Sequence, residues 1–154
     1  MARRRRPTET GLVARPRQVF NARFDAGRVV DFDAVRAASQ NGTRQIADAR
    51  PAQRFHAEVP EPRKGLRAGH IPASTNLPVS LLTENGQMKP AAQLATLFSD
   101  RGIDLDQPLI TSCGSGITAA TLALAAEIAG ARAVAVYDGS WTEWGGRSDA
   151  EIEK

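Results

Sequence analysis

The sequence predicts an α/β fold in which helices cover both faces of a mostly parallel sheet. Short apolar segments with the length of buried strands occur at residues 45–48, 108–112 and 133–137. A further extended segment is expected at 76–79, and helical patterns alternate with the strands. Parallel strands need long, usually helical, connections. The alternation therefore favours a parallel sheet between two helical layers.

Three segments carry helix signals. The first begins with a capping aspartate at 31 or 33 and ends at Gly42, which can close a helix in the left-handed conformation. The second, 90–100, has apolar residues at helical spacing. The third, 117–129, is rich in Ala and Leu and gives the clearest helix signal of the chain.

Two segments are predicted to lack regular structure. Residues 51–69 are polar and interrupted by several Pro and Gly residues. A loop of this length in a compact domain is usually functional or disordered. Residues 139–146 predict a Trp-rich turn, in which Trp141 and Trp144 are expected as core or interface aromatics.

Length and composition indicate one domain. The chain has 154 residues, of which 42% are hydrophobic and 24% charged, close to the averages of globular proteins. No apolar run approaches the roughly 20 residues of a membrane-spanning helix. The N-terminus also lacks the apolar core of a secretory signal. We therefore expect a cytoplasmic protein without a membrane partner.

Basic charge is concentrated at the N-terminus. The whole chain has a formal charge of +3, but residues 1–28 contain eight Arg and two acidic residues, a net of +6 that leaves −3 for the remainder. The arginine run at 3–6 could contact nucleic acid, but no aromatic residues interleave with it. We expect a flexible, solvated tail or linker over 1–28, one folded domain over 29–150, and no nucleic-acid partner.

Cys113 is the only cysteine of the chain. It cannot form an internal disulfide. A single cysteine also excludes a zinc site built on several thiolates, and only His56 and His70 are present beside it as histidines. We expect neither a metal nor a cofactor, so any chemistry at this position must use the thiol itself.

The loop around Cys113 has the composition of an anion cradle. It follows a predicted strand, precedes the clearest helix, and contains Gly114, Ser115 and Gly116. Glycines let successive N–H groups turn inward, and a helix N-terminus adds positive potential, so a thiolate here should be more acidic than a free cysteine. Thr118 and Ser115 add hydroxyl donors. The alternative is a buried structural cysteine at a tight turn, which the two glycines and the polar loop disfavour.

Two related loops are excluded by single residues. Phosphatases of the cysteine type need an arginine six positions after the cysteine, where this chain has Ala119. A phosphate-binding P-loop needs a Lys-Ser or Lys-Thr pair, which the segment does not contain.

The sequence Cys-Gly-Ser-Gly-Ile-Thr at 113–118 resembles the active-site loop of the 3-mercaptopyruvate sulfurtransferases, members of the rhodanese superfamily. Thiosulfate-preferring rhodaneses instead carry two basic residues after the cysteine. The segments Asp48-Ala-Arg50, Glu61-Pro-Arg63 and Gly69-His-Ile-Pro72 also resemble the family and occur in its order. The resemblance runs from about 29 to 144 and matches the C-terminal, catalytic half of the two-domain enzymes.

The resemblance implies a rhodanese-like three-layer fold around a five-stranded sheet, with sulfur carried as a persulfide on a cysteine nucleophile. Its functional residues map onto this chain as follows: catalytic Cys113 and Ser115; active-site loop Gly114, Gly116, Ile117 and Thr118; substrate-binding Arg54 and Arg63. Of the remaining residues in these motifs, Arg50 is expected in an ion pair with Asp48, His70 in a structural turn, and Asp138 and Ser140 as braces of the turn near the site.

The implied reaction moves sulfur from 3-mercaptopyruvate to a thiol, thioredoxin or cyanide and releases pyruvate. Because Gly114 and Ser115 are neutral, anion recognition falls to the arginines, which favours a monoanionic oxo acid over dianionic thiosulfate. Two alternatives remain: a thiosulfate:cyanide sulfurtransferase using the same cysteine, and a non-enzymatic rhodanese-like persulfide carrier or binding module.

In the two-domain enzymes, the other half covers the active site and contributes an acidic residue to a relay with the loop serine, here Ser115. The chain is therefore expected to be a fragment, a subunit completed by a second rhodanese domain on another chain, or a standalone carrier. With a more open site, we expect persulfide formation to survive and turnover to be weak.

Overall fold

The computed structural model describes residues 10–12, 14 and 16–154. Its strands are β1 (Val29–Val30), β2 (Gln45–Asp48), β3 (Ser74–Asn76), β4 (Thr83–Glu84), β5 (Gln87–Met88), β6 (Leu109–Ser112) and β7 (Val134–Tyr137). Its α-helices are α1 (Phe32–Asn41), α2 (Ala52–Phe55), α3 (Ala91–Ser99), α4 (Ile117–Ala129) and α5 (Ser140–Trp144).

A five-stranded sheet with the order β1-β7-β6-β2-β3 forms the centre of the domain. Every neighbouring pair in it is parallel, which confirms the predicted parallel pairing and strand number. The strands β4 and β5 form a separate antiparallel pair.

Helices pack on both faces of the sheet and divide the core into two clusters. One cluster contains Leu94 and Phe98 of α3 and Leu122 of α4. The other contains buried residues of α1 and α5, including Trp141 and Trp144. The three-layer arrangement is therefore confirmed, and both tryptophans are core residues.

The first helix shows how local signals set its ends. The Asp31 carboxylate accepts a hydrogen bond from the Ala34 N–H at 3.0 Å, which satisfies one of the free donors of the first turn. Gly42 ends the helix at φ 65° and donates its N–H to the Ala38 carbonyl. Both predicted caps are present.

Three segments differ from the sequence prediction. The extended piece expected at 76–79 lies at Ser74–Asn76, and Val79–Leu81 forms a 3-10 turn after Pro78. The loop 51–69 contains the short helix α2. The expected Trp-rich turn at 139–146 is a helix, α5, over most of its length.

Both ends of the folded body are attached by specific contacts. The run at 3–6 lies outside the described residues, and 16–25 are exposed and form no helix or strand. Arg28 pairs with Glu127 of α4. At the other end, the backbone of Glu153 pairs with that of His70, so contacts continue past residue 150. Among the described residues, no helix is long and apolar enough to cross a membrane.

The strands place the functional candidates at one edge of the sheet. Cys113 follows β6, Arg50 lies just beyond β2, and Asp138 follows β7. Because the strands are parallel, their carboxyl ends lie together, which is where α/β folds bind ligands.

Candidate active site

Cys113 lies in a loop between β6 and α4 and is only 2% exposed. Four donors stabilise its thiolate: the Thr118 hydroxyl, the backbone N–H groups of Ser115 and Ala119, and, as the smallest contribution, the Ser140 hydroxyl 3.9 Å from the sulfur. Thr118 and Ala119 belong to the first turn of α4, whose N–H groups are not used inside the helix. The nest expected around this sulfur is present.

The pKa of Cys113 is set by two opposing effects. Burial raises it, and the hydrogen bonds from Thr118, Ser115 and Ala119 lower it. The hydrogen bonds outweigh burial, so the pKa of the thiol lies below its usual value. The thiolate is the nucleophilic form of cysteine, so this environment favours the reactive state.

The first turn of α5 holds the cysteine loop from behind. The N–H of Trp141 donates to the Cys113 carbonyl at 2.9 Å, and the N–H of Thr142 donates to the Gly114 carbonyl at 2.9 Å. The Thr142 hydroxyl donates to the same Gly114 oxygen at 2.6 Å. These bonds turn the loop carbonyls toward α5 and leave the following N–H groups free to face the sulfur.

Ser140 fixes the backbone of the nucleophile. Its oxygen accepts the Cys113 N–H at 3.1 Å, and its hydroxyl donates to the Tyr137 carbonyl at 2.8 Å. The same oxygen is 3.9 Å from the sulfur. Because a hydroxyl has one proton and the Tyr137 contact is much shorter, Ser140 mainly braces the loop, and it lowers the pKa of the thiol less than Thr118, Ser115 and Ala119 do. The predicted bracing role is confirmed.

Gly116 is required at the start of α4. Its φ is 85°, and a Cβ at this position would lie 2.8 Å from the Asp138 carbonyl oxygen and 2.9 Å from Asp138 Oδ1. Both the left-handed backbone and the close approach of the β7 end therefore exclude a side chain.

A cavity of about 160 Å³ opens beside the cysteine loop. Its walls include the predicted site residues Arg54, Arg63, Gly114 and Ser115, and also residues to which the sequence had assigned no role, Glu61, Pro62, Leu66 and Thr142. The structure thus brings two of the three arginines of the 51–69 loop, Arg54 and Arg63, next to the loop that carries the thiol.

Arg54 lies on α2 with its guanidinium against Gly114. A Cβ at Gly114 would be 3.1 Å from Arg54 Nη2 and 3.5 Å from Nη1. The Nε and Nη2 groups donate to the Glu61 carboxylate, at 3.2 and 2.5 Å. One edge of this guanidinium is therefore occupied by a protein carboxylate, and the Nη1 edge is left for other acceptors.

Arg63 is exposed and more loosely held. Its Nη1 is 3.3 Å from the Thr142 hydroxyl oxygen, to which it donates. Ser115 is also exposed, and Ile117, next in the loop after Gly116, is 76% exposed. The rim of the site thus combines a cation, a hydroxyl and an apolar side chain.

Arg50 forms a buried ion pair below the cavity. It donates to both oxygens of Asp48, with the shortest distance 2.7 Å from Nη2, and to the Gly69 carbonyl at 2.8 Å. Its Nη1 reaches Glu61 at 3.1 Å, and its guanidinium stacks on Trp141. The expected Arg50–Asp48 pair is confirmed, and Glu61 extends it to Arg54.

His70 supports α2 rather than the thiol. Its Nδ1 is 2.9 Å from the Phe55 carbonyl oxygen, and its ring stacks on Phe55 with centroids 3.8 Å apart. Its Nε2 is 3.6 Å from the Glu153 carboxylate. This geometry agrees with the expected structural role. Within the described residues, no group of three His, Cys, Asp or Glu could hold a metal ion.

Sequence reasoning missed three contributors. Glu61 joins two arginines, Thr142 binds the Gly114 carbonyl, and Arg67 donates to four carbonyl groups of residues 144–150. Thr142 and Arg67 contact segments distant in the chain, and Glu61 pairs with arginines seven and eleven residues before it, so none of these contacts follows from regular local spacing. For Glu61, the signal available was its place in the motif Glu-Pro-Arg, two residues from Arg63.

Comparison with known proteins gives a consistent set of relatives. The rhodanese-like domain family matches residues 31–147. The 3-mercaptopyruvate sulfurtransferase of Escherichia coli (strain K12) is 48% identical over 145 residues, which are 94% of this chain and 52% of that protein. The thiosulfate/3-mercaptopyruvate sulfurtransferase 1, mitochondrial, of Arabidopsis thaliana is 40% identical over 135 residues, 87% of this chain and 36% of that protein.

Comparison with solved structures finds relatives of the same kind. The crystal structure of SseA from Escherichia coli, described as a 3-mercaptopyruvate sulfotransferase with the rhodanese fold, matches with a TM-score of 0.73 and 45% identity. The match covers 86% of this chain and 49% of SseA. The chain spans about half the length, or less, of the curated relatives it matches.

Proposed function

Because the chain belongs to the rhodanese family, we propose that it is a sulfurtransferase that carries sulfur as a persulfide on Cys113, with 3-mercaptopyruvate as the donor. One observation carries this proposal. The only thiol of the chain is buried in a nest of donors that lowers its pKa, directly beside a cavity lined by two arginines.

In the first half of the reaction, the Cys113 thiolate attacks the sulfur of 3-mercaptopyruvate. An S–S bond forms and the C–S bond of the donor breaks, so its electron pair remains on carbon as the enolate of pyruvate. The proton of the donor thiol passes from the new persulfide to that carbon, which gives pyruvate and leaves a persulfide anion on Cys113. This is covalent catalysis by double displacement.

The nest serves the intermediate as well as the nucleophile. The donors from Ser115, Thr118 and Ala119 face the sulfur of Cys113, and a terminal sulfur anion bound to it meets the same N-terminal end of α4. In the second half of the reaction, an acceptor attacks this outer sulfur and restores the thiolate. We propose a small thiol, thioredoxin or cyanide as acceptor.

Arg54 and Arg63 are proposed to bind the carboxylate of the donor. The free Nη1 edge of Arg54 and the exposed guanidinium of Arg63 both border the cavity, and arginine binds carboxylates with two parallel hydrogen bonds. A Cβ at Gly114 would lie 3.1 Å from Arg54 Nη2, so a basic residue there would have to displace this guanidinium. This packing supports an oxo acid donor, with thiosulfate as the second candidate.

Ser115 is proposed to assist the proton transfer. Its exposed side chain borders the cavity at the thiol loop, within the space that the keto group of the donor would occupy. A hydroxyl there can donate a hydrogen bond to the enolate oxygen that develops as the C–S bond breaks. It can also pass the proton of the persulfide on to the enolate carbon.

A second rhodanese domain is proposed to cover this open site. Ile117 and Ser115 are exposed at the rim, and Val19, Phe20 and Phe24 are at least 80% exposed in the N-terminal segment. Exposed apolar side chains at the rim of a site and in the N-terminal segment support a contact with another protein surface. We propose that the reaction takes place in the cytoplasm, where a single thiol remains reduced.

Steady-state release of pyruvate tests the proposal. With 3-mercaptopyruvate and dithiothreitol, the chain should form pyruvate slowly, and Cys113→Ser should reduce the rate to background while its circular dichroism spectrum is unchanged. Pyruvate formation that survives in Cys113→Ser would refute the role of this thiol.

Donor binding is tested separately with Arg54→Ala. Loss of the guanidinium should raise KM for 3-mercaptopyruvate by about tenfold or more, since a charge-assisted pair contributes about 1.5–3 kcal/mol. Arg132→Ala is the matched control, because Arg132 forms an exposed ion pair with Asp106 at the surface. Equal KM values in the two variants would exclude Arg54 from donor binding.

A further inference from the structure

Glu61 lies under the cavity with its side chain only 1% exposed. Its Oε1 accepts from Arg50 Nη1 at 3.1 Å and from Arg54 Nε at 3.2 Å, and its Oε2 accepts from Arg54 Nη2 at 2.5 Å. We propose that Glu61 is a specificity-determining residue, which positions Arg54 and limits the site to donors with a single negative charge. This inference rests on the proposed sulfurtransferase activity.

The geometry gives Glu61 control over the direction of Arg54. The carboxylate holds the Nε and Nη2 side of the guanidinium, so this side is not available to a substrate. The Nη1 side remains and lies close to Gly114, at the base of the cysteine loop. Arg54 can therefore present one pair of N–H groups to the donor, in an orientation that Glu61 fixes before binding.

The charges around the cavity lead to the same conclusion. Asp48, Arg50, Glu61 and Arg54 form a connected set of ion pairs whose charges cancel. Arg63 is the remaining charged residue of the cavity wall. The site thus offers one unbalanced positive charge, which matches the carboxylate of an oxo acid, whereas thiosulfate brings two negative charges toward a thiolate.

The burial of the Glu61 carboxylate indicates that it is more than a packing element. An ion buried in this way loses most of its hydration, and buried pairs are often no more stable than apolar side chains of the same volume. Stability alone therefore gives little reason for a charged group here. Control of the charge and direction of Arg54 is a role that an apolar residue could not fill.

The test measures kcat/KM for both donors in Glu61→Gln. In a double-displacement reaction, kcat/KM for the donor reports only the half in which Cys113 takes sulfur from that donor, and the acceptor does not affect it. The variant keeps the shape of the side chain and removes one negative charge, so the cavity gains a second unbalanced cation. The thiosulfate to 3-mercaptopyruvate ratio of kcat/KM should rise about tenfold at low ionic strength, mainly through KM for thiosulfate. In 0.5 M salt, the increase in this ratio should be about half or less of the increase at low ionic strength.

Glu58→Gln is the matched control. Glu58 is an exposed glutamate of the same loop, so the substitution changes the net charge of the protein equally, away from the Arg54 contact. Its donor ratio should remain that of the wild type. A structural role of Glu61 would lower kcat/KM for both donors by the same factor and leave the ratio unchanged.

A second variant covers the case in which Glu61→Gln does not fold. Arg63 is exposed, so Arg63→Gln should fold normally, and it removes the unbalanced cation. The donor ratio should then fall by several-fold, because thiosulfate loses more than the monoanion. The double variant Glu61→Gln/Arg63→Gln restores the charge balance and should return the ratio toward the wild-type value.

The inference is overturned if the wild type turns over both donors and neither single variant changes the ratio; the proposed sulfurtransferase function would then still stand. If the wild type turns over neither donor, the proposed function and the inference fail together. The wild-type rates thus separate the two failures.

Discussion

The sulfur of Cys113 is nearly inaccessible to water, and burial by itself would raise the pKa of its thiol. The hydroxyl of Thr118 and two backbone N–H groups reverse this effect, and the pKa falls below its usual value. The sign of the shift has a direct consequence. The thiolate forms at lower pH than in a free cysteine, whose pKa is about 8.5, so the thiolate fraction at neutral pH is larger than in a free cysteine.

Thr118→Val tests the largest of these hydrogen bonds. Valine has the shape of threonine without the hydroxyl, so the pKa of Cys113 should rise and the thiolate fraction at neutral pH should fall. The pH profile of the alkylation rate with iodoacetamide should move to higher pH. Thr121→Val, on the same helix but not a donor to the thiol, should leave the profile in place. Identical profiles for both variants would mean that Thr118 does not stabilise the thiolate.

The helices α4 and α5 both begin next to the loop that carries the thiol, and the start of each helix is fixed by contacts with residues at the start of the other. The N–H groups of Trp141 and Thr142 at the start of α5 use the carbonyls of the cysteine loop as their partners. Gly116 at the start of α4 lies against Asp138, directly before α5. The left-handed backbone of Ser140, with φ 47°, belongs to this junction. Strained residues of this kind concentrate at functional sites.

Gly116→Ala should damage this junction specifically. The left-handed backbone costs an alanine about 1–2 kcal/mol, and the overlap with Asp138 adds about 1–3 kcal/mol. Gly130→Ala is the matched control, because Gly130 at the other end of α4 also has a positive φ but open space around it. Urea denaturation should show a larger loss for Gly116→Ala, which should also lose pyruvate formation. Equal losses of stability would show that the contact with Asp138 is not tight.

For the whole molecule, a chain of buried ion pairs joins the sheet to the loop 51–69. Arg50 connects Asp48 at the end of β2 with Glu61 and with the Gly69 carbonyl, and its side chain is 1% exposed. Removing it leaves the Asp48 carboxylate without its ion-pair partner in the interior and Glu61 with Arg54 alone. Removing one member of a buried ion pair destabilises a protein by much more than the intact pair stabilises it, because the other charge is left buried without a partner.

Arg50→Met should therefore lower the free energy of unfolding by about 3–5 kcal/mol in urea denaturation. Arg44→Met, at an exposed position, should change it by no more than about 0.5 kcal/mol. A loss below about 1 kcal/mol for Arg50→Met would contradict the account of this network as a structural link.

Local signals in the sequence were sufficient for much of the fold and for the thiol loop. The caps at Asp31 and Gly42 depend on neighbouring residues, and so does the glycine-rich turn between β6 and α4. The position of β3 was not predictable in this way, since its register is set by pairing with β2, where Asn76 lies opposite Asp48. The extended segment had been expected two residues later, across Pro78.

The remaining site residues depend on tertiary contacts. The short helix α5 was predicted as a turn, because its start at Ser140 is held by the cysteine loop and not by local propensity. Glu61 had no predicted role beyond its place in the motif Glu-Pro-Arg, because its pairing with Arg50 and Arg54 depends on how the loop folds back on itself. The roles of Arg54, Arg63 and Ser115 toward a substrate remain predictions.

The mass of the intact protein tests the central claim most directly. After incubation with 3-mercaptopyruvate and removal of the excess donor, the wild type should gain about 32 Da, the mass of one sulfur atom in a persulfide. The adduct should disappear on treatment with dithiothreitol and should not form in Cys113→Ser. An unchanged mass of the wild type with both 3-mercaptopyruvate and thiosulfate, or the same adduct in Cys113→Ser, would contradict the assignment of Cys113 as the sulfur carrier.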